Sequence, residues 1–154
     1  MIPMTDTSTN TTSFTLTASS VPTSASSSAE SRLRIVLRAN AVNSVAFGIL
    51  LATIPDTVDR LLDTGHPGWL RVVGLGLVAF AAGCAWLSAT SLATLRRLTP
   101  HVIAGDIAWV VASVVTVLLG WYSGGGVVAV LTLAAVVDAF AVLQWSAWRK
   151  LRIR

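Results

Sequence analysis

Apolar residues run along this chain in four long blocks separated by short polar breaks. The blocks extend from about Leu33 to Ile54, Trp69 to Ala89, Val102 to Trp121 and Val127 to Ala147. A helix rises 1.5 Å per residue, so about 20 residues cross the roughly 30 Å hydrocarbon core of a bilayer. In hydrocarbon, backbone amides bond only within helices or closed barrels. Continuous apolar runs of this length, without strand alternation, predict an all-α, four-helix transmembrane bundle over residues 32–154.

The breaks carry their own signals. Residues 1–31 are a Ser/Thr tract, 17 of the 31, with too few apolar side chains to bury a core. The expectation is a disordered tail with neither the basic start nor the apolar core of a secretory signal. Glu30 or Ser31 is placed to cap the first helix, and Pro55 to stop it. In the connector 55–68, Val58, Leu61 and Leu62 recur at helical spacing, which suggests a short interfacial helix. Gly65, Pro67 and Gly68 then break it. Pro100 suits the start of the third helix. The turn 122–126 is so short that the helices on either side must be antiparallel neighbours. In the second block Gly74, Gly76, Ala79 and Gly83 offer the small-residue spacing that lets helices approach closely.

Composition agrees with lipid as the main solvent. The chain is 54% hydrophobic and 12% charged, with a mean hydropathy of +0.73. A soluble surface carries far more charge. The net charge of +4 does not point to nucleic acid, because the basic residues sit at block ends. Arg32, Arg34 and Arg38 open the first helix, Arg96 and Arg97 lie in the 90–101 loop, and Arg149, Lys150, Arg152 and Arg154 close the chain. The 55–68 connector is acidic and the 122–126 turn uncharged. The positive-inside rule then places both termini in the cytoplasm. Arg71 dissents, at the outer end of the second helix, and can snorkel outward. Trp69, Trp121 and Tyr122 suit an outer aromatic belt, and Trp145 and Trp148 an inner one. Arg exceeds Lys ten to one, the usage of a GC-rich bacterial genome.

Candidate chemistry reduces to the polar residues inside the blocks. Charged side chains there cost about 2.5–3.5 kcal/mol on insertion scales and are expected to face protein or water. Asp106 lies roughly 6 Å in from the inner boundary and Asp138 roughly 10 Å, by helical rise. Small residues flank Asp138 on the stripe Leu131, Ala134, Asp138, Ala141, Trp145, which reads as a packed face. Trp109, Ser113, Thr116 and Gly120 extend the face of Asp106. Asn40, Asn43, Ser44 and Phe47 share a face of the first helix, with Arg38 on another side. Gln144 falls off the Asp138 stripe. The expected intramembrane polar cluster is Arg38, Asn40, Asn43, Asp106 and Asp138. Such a cluster serves either as interhelical glue or as a proton or cation site. Hydrogen-bonded carboxylates without a water path favour glue, and a continuous polar cavity reaching Asp138 favours transport.

From Asp106 onward the chain resembles a family of small, uncharacterised bacterial four-helix membrane proteins. The resemblance rests on Gly105-Asp106-Ile107-Ala108-Trp109-Val110-Val111-Ala112-Ser113 and on Val142-Leu143-Gln144-Trp145 followed by basic residues. The Leu33–Asn40 opening fits more loosely. The resemblance covers about 120 residues and implies Asn in many relatives at the position of Asp106, so a dispensable carboxylate, and no known activity. Small multidrug-resistance transporters share the length and helix number but use a mid-helix Glu in their first helix. This first block has neither Glu nor Asp, which excludes that mechanism.

No nucleophile motif, metal set or nucleotide loop is present, so an enzyme or a cofactor is not expected. Cys84 is a packing residue and cannot form an intrachain disulfide. The expectation is a multi-pass protein of the bacterial cytoplasmic membrane. Its leading role is a structural or interaction subunit, partnered by lipid and by a second copy or a larger complex. The alternative is a small proton- or cation-coupled transporter using Asp138 and Asp106.

Overall fold

The computed structural model describes residues 24–152. Five helices follow in order: α1 (Ser24–Thr53), α2 (Pro55–Leu62), α3 (Pro67–Ala89), α4 (Leu92–Leu118) and α5 (Gly125–Arg152). Four of them, all but α2, are long and apolar enough to cross a membrane. The shortest, α3, has 23 residues and spans about 35 Å. Their outer faces are apolar, with Leu118 79% exposed and Val42 67%. Water would not tolerate such a continuous apolar exterior, and lipid does. The molecule is a multi-pass membrane bundle.

The long helices alternate in direction, so both ends of the bundle's chain path emerge on one side. That end is held by Ala29, Leu33 and Leu37 of α1 packing with Leu87, Leu95, Ala147, Trp148 and Leu151. It carries the basic residues of α1, α4 and α5 and is the basic end of the bundle. The opposite, connector end carries α2 and the turn before α5.

α1 and α3 pack along most of their length, as do α4 and α5, and α1 also lies against α5. Gly48 and Gly74 bring α1 and α3 together backbone to backbone. Gly76 and Gly83, by contrast, face open space. Of the small residues expected to matter on α3, Gly74 alone sits at a close contact.

α1 begins earlier than expected. Residues 1–23 lie outside the described residues, but 24–31 are helical and extend α1 by about two turns. Ala29 is buried in the basic-end cluster, and Glu30 pairs with Arg34 one turn later at 2.8 Å. Tertiary burial and an i,i+4 ion pair outweigh the Ser/Thr composition there.

α4 also begins earlier, at Leu92. Ser91 is its N-cap and accepts from the Thr94 amide. Arg96, Arg97 and Pro100 therefore belong to the helix, not to a loop. A proline inside a helix leaves the carbonyl four residues earlier without its partner. Here that carbonyl, on Arg96, accepts the Trp148 indole N–H of α5 instead. Trp148 is thus a buried packing residue rather than a belt anchor, with Trp145 and Arg152 against its ring.

The expected interfacial helix is present as α2. Its Pro55 and Val58 are buried. Gly126, in the first turn of α5, sits against the Leu62 carbonyl, and Ser123 donates to Asp63 at 2.7 Å. α2 is thereby fastened over the connector end.

Candidate functional site: a three-helix carboxylate clamp

α4 places Asp106 at its fifteenth residue, near the middle of its 27. The side chain is 2% exposed. Its partners come from two other helices. Asn40 Nδ2 of α1 donates to Oδ1 at 3.0 Å and to Oδ2 at 2.9 Å. Gln144 Nε2 of α5 donates to Oδ2 at 3.0 Å. Both amides are fully buried. Ser44, one turn on from Asn40, donates to Asn40 Oδ1 at 3.4 Å and orients that amide. A carboxylate offers acceptor sites on both oxygens, and amide N–H groups are donors only, so the set is chemically complementary. No cation touches it: the one ion pair among the described residues is Arg34–Glu30.

Of the residues expected to cluster, the structure brings Asn40 and Asp106 together, adds Gln144, and sets Asp138 apart. Asp138 is exposed on the outside of α5, with no hydrogen-bond or ion-pair partner among the described residues. The packed stripe of α5 is Ala134, Val137, Ala141, Gln144, Trp148 and Leu151. Asp138 is turned about 100° from Val137, beyond the edge of that stripe. Ala134 and Ala141 flank both faces, so small neighbours alone could not decide between them. Gln144, which lies off the Asp138 stripe, is fully buried and marks the inner face. It stands six residues, about 9 Å of rise, closer to the basic end than Asp138.

Arg38 is likewise outside the cluster. It is exposed, and its Nε reaches Ser88 Oγ at 3.4 Å. Asn43 is half-buried and lines a cavity next to Asp106 rather than bonding to it. The Arg with a defined task is Arg34, whose position at a block end marks it in the sequence only as a topology charge. It donates to the carbonyls of Ser88 at 2.7 Å and Thr90 at 2.8 Å while pairing with Glu30. These are terminal carbonyls of α3, which a guanidinium suits.

Two spaces lie on the connector side of the clamp. One of about 270 Å³ is walled by Asn43, Ser44, Phe80, Gly105, Asp106 and Trp109. The other, of about 950 Å³, shares Asn43 and Trp109 with it and reaches Trp69, Trp121 and Tyr122 below α2. Their walls are mostly apolar, and Asp138 is not among them. The bundle is therefore knit tightly at the basic half and open at the connector half. α3 and α4 meet mainly in the basic half, where Leu87 and Leu95 share a cluster, Val102 packs near Cys84, and Phe80 meets Gly105.

Among the described residues, no three His, Cys, Asp or Glu side chains stand close enough to hold a metal ion. Cys84 is buried against Ala41 and Ala81. His66 lies at the connector end, edge-on to Trp121, and His101 is exposed. Comparisons with family models, with curated proteins and with solved structures find no match.

Proposed function

We propose that this protein is a non-catalytic interaction subunit of a bacterial cytoplasmic membrane, with its basic end inside. The reading is carried by Asp138. The residue stands near the middle of α5, thirteen residues from Gly125 and fourteen from Arg152, exposed just beyond the edge of the packed stripe. An unpaired charge at that depth costs about 2.5–3.5 kcal/mol on insertion scales. A bundle that lived alone in lipid would have no use for it. A bundle whose α5 face is covered by another chain would.

The arrangement of Asp106 supports the same reading from the other side. Its oxygens are taken up by amides of α1 and α5, which makes it a joint between helices. Transport through both carboxylates needs a shared polar path. Asp138 lines neither cavity, only the smaller of which touches Asp106, and the walls of both are largely apolar.

The test is the mass of the particle extracted in mild detergent from the cells that encode the protein. A complex heavier than one chain is expected, and Asp138→Leu is expected to release the monomer. A wild-type chain that is already a monomer would sink the reading.

A further inference from the structure

The exposed face of α5 combines a charge with a shape. Thr132, Ala135 and Ala139 form a short, shallow small-residue strip, all exposed, with Asp138 at its edge and exposed Val142 bordering it toward the basic end. Small side chains let a second helix approach closely, and a close helix shields a neighbouring carboxylate from lipid. The remaining question is what supplies the countercharge.

A second copy of this chain does not. Depth can be compared along α1, which runs antiparallel to both α3 and α5. Asn40 and Gln144 meet on Asp106, so Asp138, six residues further toward the connector end, is level with about Ala46. Gly74 packs against Gly48 and Ala52, which puts Arg71 level with about Thr53. Arg71 is then roughly 10 Å nearer the connector end than Asp138, and Arg38 roughly 12 Å nearer the basic end. Copies inserted in the same orientation share one plane, so neither cation comes level with a neighbour's Asp138. Both would also have to turn inward, against their tendency to snorkel to the surface. A symmetric α5–α5 pair sets Asp138 against Asp138, like against like.

Resting on the interaction-subunit reading, we infer that the α5 face around Asp138 is covered by a transmembrane helix of a different protein carrying Lys or Arg at mid-depth. The strip seats the helix, and Asp138 pairs with its basic side chain. This pairing sets the partner's depth and rotation.

The experiment places a photo-crosslinking amino acid at Ala135 or Ala139 of the full chain, in the membranes of the cells that encode it. Val111 on the exposed face of α4 is the control position. Irradiated adducts are identified by mass spectrometry. The expected adduct is a different polypeptide, joined within a membrane segment that has Lys or Arg in its middle third. Asp138→Leu is expected to lower its yield at least tenfold, and Asp138→Glu to retain most of it. Asp138→Lys combined with an acidic replacement of the partner's basic residue is expected to restore it. An adduct with the mass of two copies overturns this inference but keeps the interaction-subunit reading. So does a foreign helix without a mid-depth base. Lipid adducts alone overturn both. Because Asp138 is exposed and makes no hydrogen bond or ion pair among the described residues, its variants should retain wild-type helix content, and circular dichroism in detergent checks that they do.

Discussion

The carbonyl oxygen of Gly48 lies 2.7 Å from the point where a Cβ on Gly74 would stand, and the amide nitrogen of Ala52 lies 2.6 Å from it. Both obstacles are backbone, so neither can rotate out of the way. Gly74→Ala should force α1 and α3 apart and cost about 1–3 kcal/mol, the usual range for overpacking. Gly76→Ala and Gly83→Ala meet nothing within 4 Å and should be neutral or slightly stabilising. Unfolding of the three variants in detergent micelles separates them. Equal loss in all three would mean that α1 and α3 do not touch as described.

A second prediction concerns the bond from the Trp148 indole to the Arg96 carbonyl, at 2.9 Å. Trp148→Phe keeps most of the packing but strands that carbonyl, at a cost of about 1–3 kcal/mol. Pro100→Ala restores an N–H four residues after Arg96 and gives the carbonyl a partner within α4. Trp148→Phe should therefore be milder in the Pro100→Ala background than in the wild type. A double-mutant cycle measures the difference, and strictly additive effects would refute the coupling.

The same pair shows where the sequence is legible and where it is not. Four apolar blocks, short turns and an amphipathic connector are local patterns, and all four long helices and α2 follow from them. Pro100 misleads because its local preference is for a helix start, while Trp148, 48 positions away, supplies what an internal proline lacks. Ser24–Ser31 misleads in the opposite direction: the composition reads as a tail, but burial of Ala29 and the Glu30–Arg34 pair come from the folded bundle. Asn40 and Asp106 were visible because rare polar residues in apolar blocks stand out. Gln144 is equally rare in its block, but the carboxylate six residues earlier is the stronger local signal. Residue spacing orients a helix only to within about one position when alanines border both faces, and Asp138 stands on that border.

Asp106 holds two amides at once, and its replacement should show it. Asp106→Leu leaves the Asn40 and Gln144 N–H groups buried without an acceptor. Each of the two orphaned groups costs about 1–3 kcal/mol, so a loss of about 2–6 kcal/mol is expected. Asp106→Asn keeps one oxygen for these donors and should cost less, about 1 kcal/mol, near the usual worth of a hydrogen bond between membrane helices. Thermal unfolding in micelles reads the order of the two variants. If Asn proved as damaging as Leu, negative charge rather than hydrogen bonding would be the feature that matters at this position.

Arg34 is expected to stabilise one helix terminus rather than the whole bundle. Its guanidinium holds the Ser88 and Thr90 carbonyls and is itself positioned by Glu30. Arg34→Leu should fray the last turn of α3 and the Thr90–Ser91 link, which joins α3 to α4. Hydrogen exchange in detergent should rise at the amides of residues 87–95, with little change near Gly74. Arg34→Lys has one ammonium where the fork had two branches, and should protect these amides only in part. Uniform loss of protection along α3 would instead make Arg34 a general packing residue.

Flux measurements give the sharpest test of what the carboxylates do not do. Proton or cation movement through this bundle would need Asp106 to exchange its amide partners for a mobile ion at every passage. Asp138 would in turn have to be reached from a cavity it does not line. In proteoliposomes under an imposed pH or cation gradient, the wild type, Asp106→Asn and Asp138→Asn should all match protein-free vesicles. The structural reading would fail on one result: a wild-type flux abolished by either substitution while the variant protein remains folded and correctly inserted. Lack of flux in the wild type leaves Asp106 as a joint between α1, α4 and α5, and it leaves Asp138 as a charge that another chain must meet.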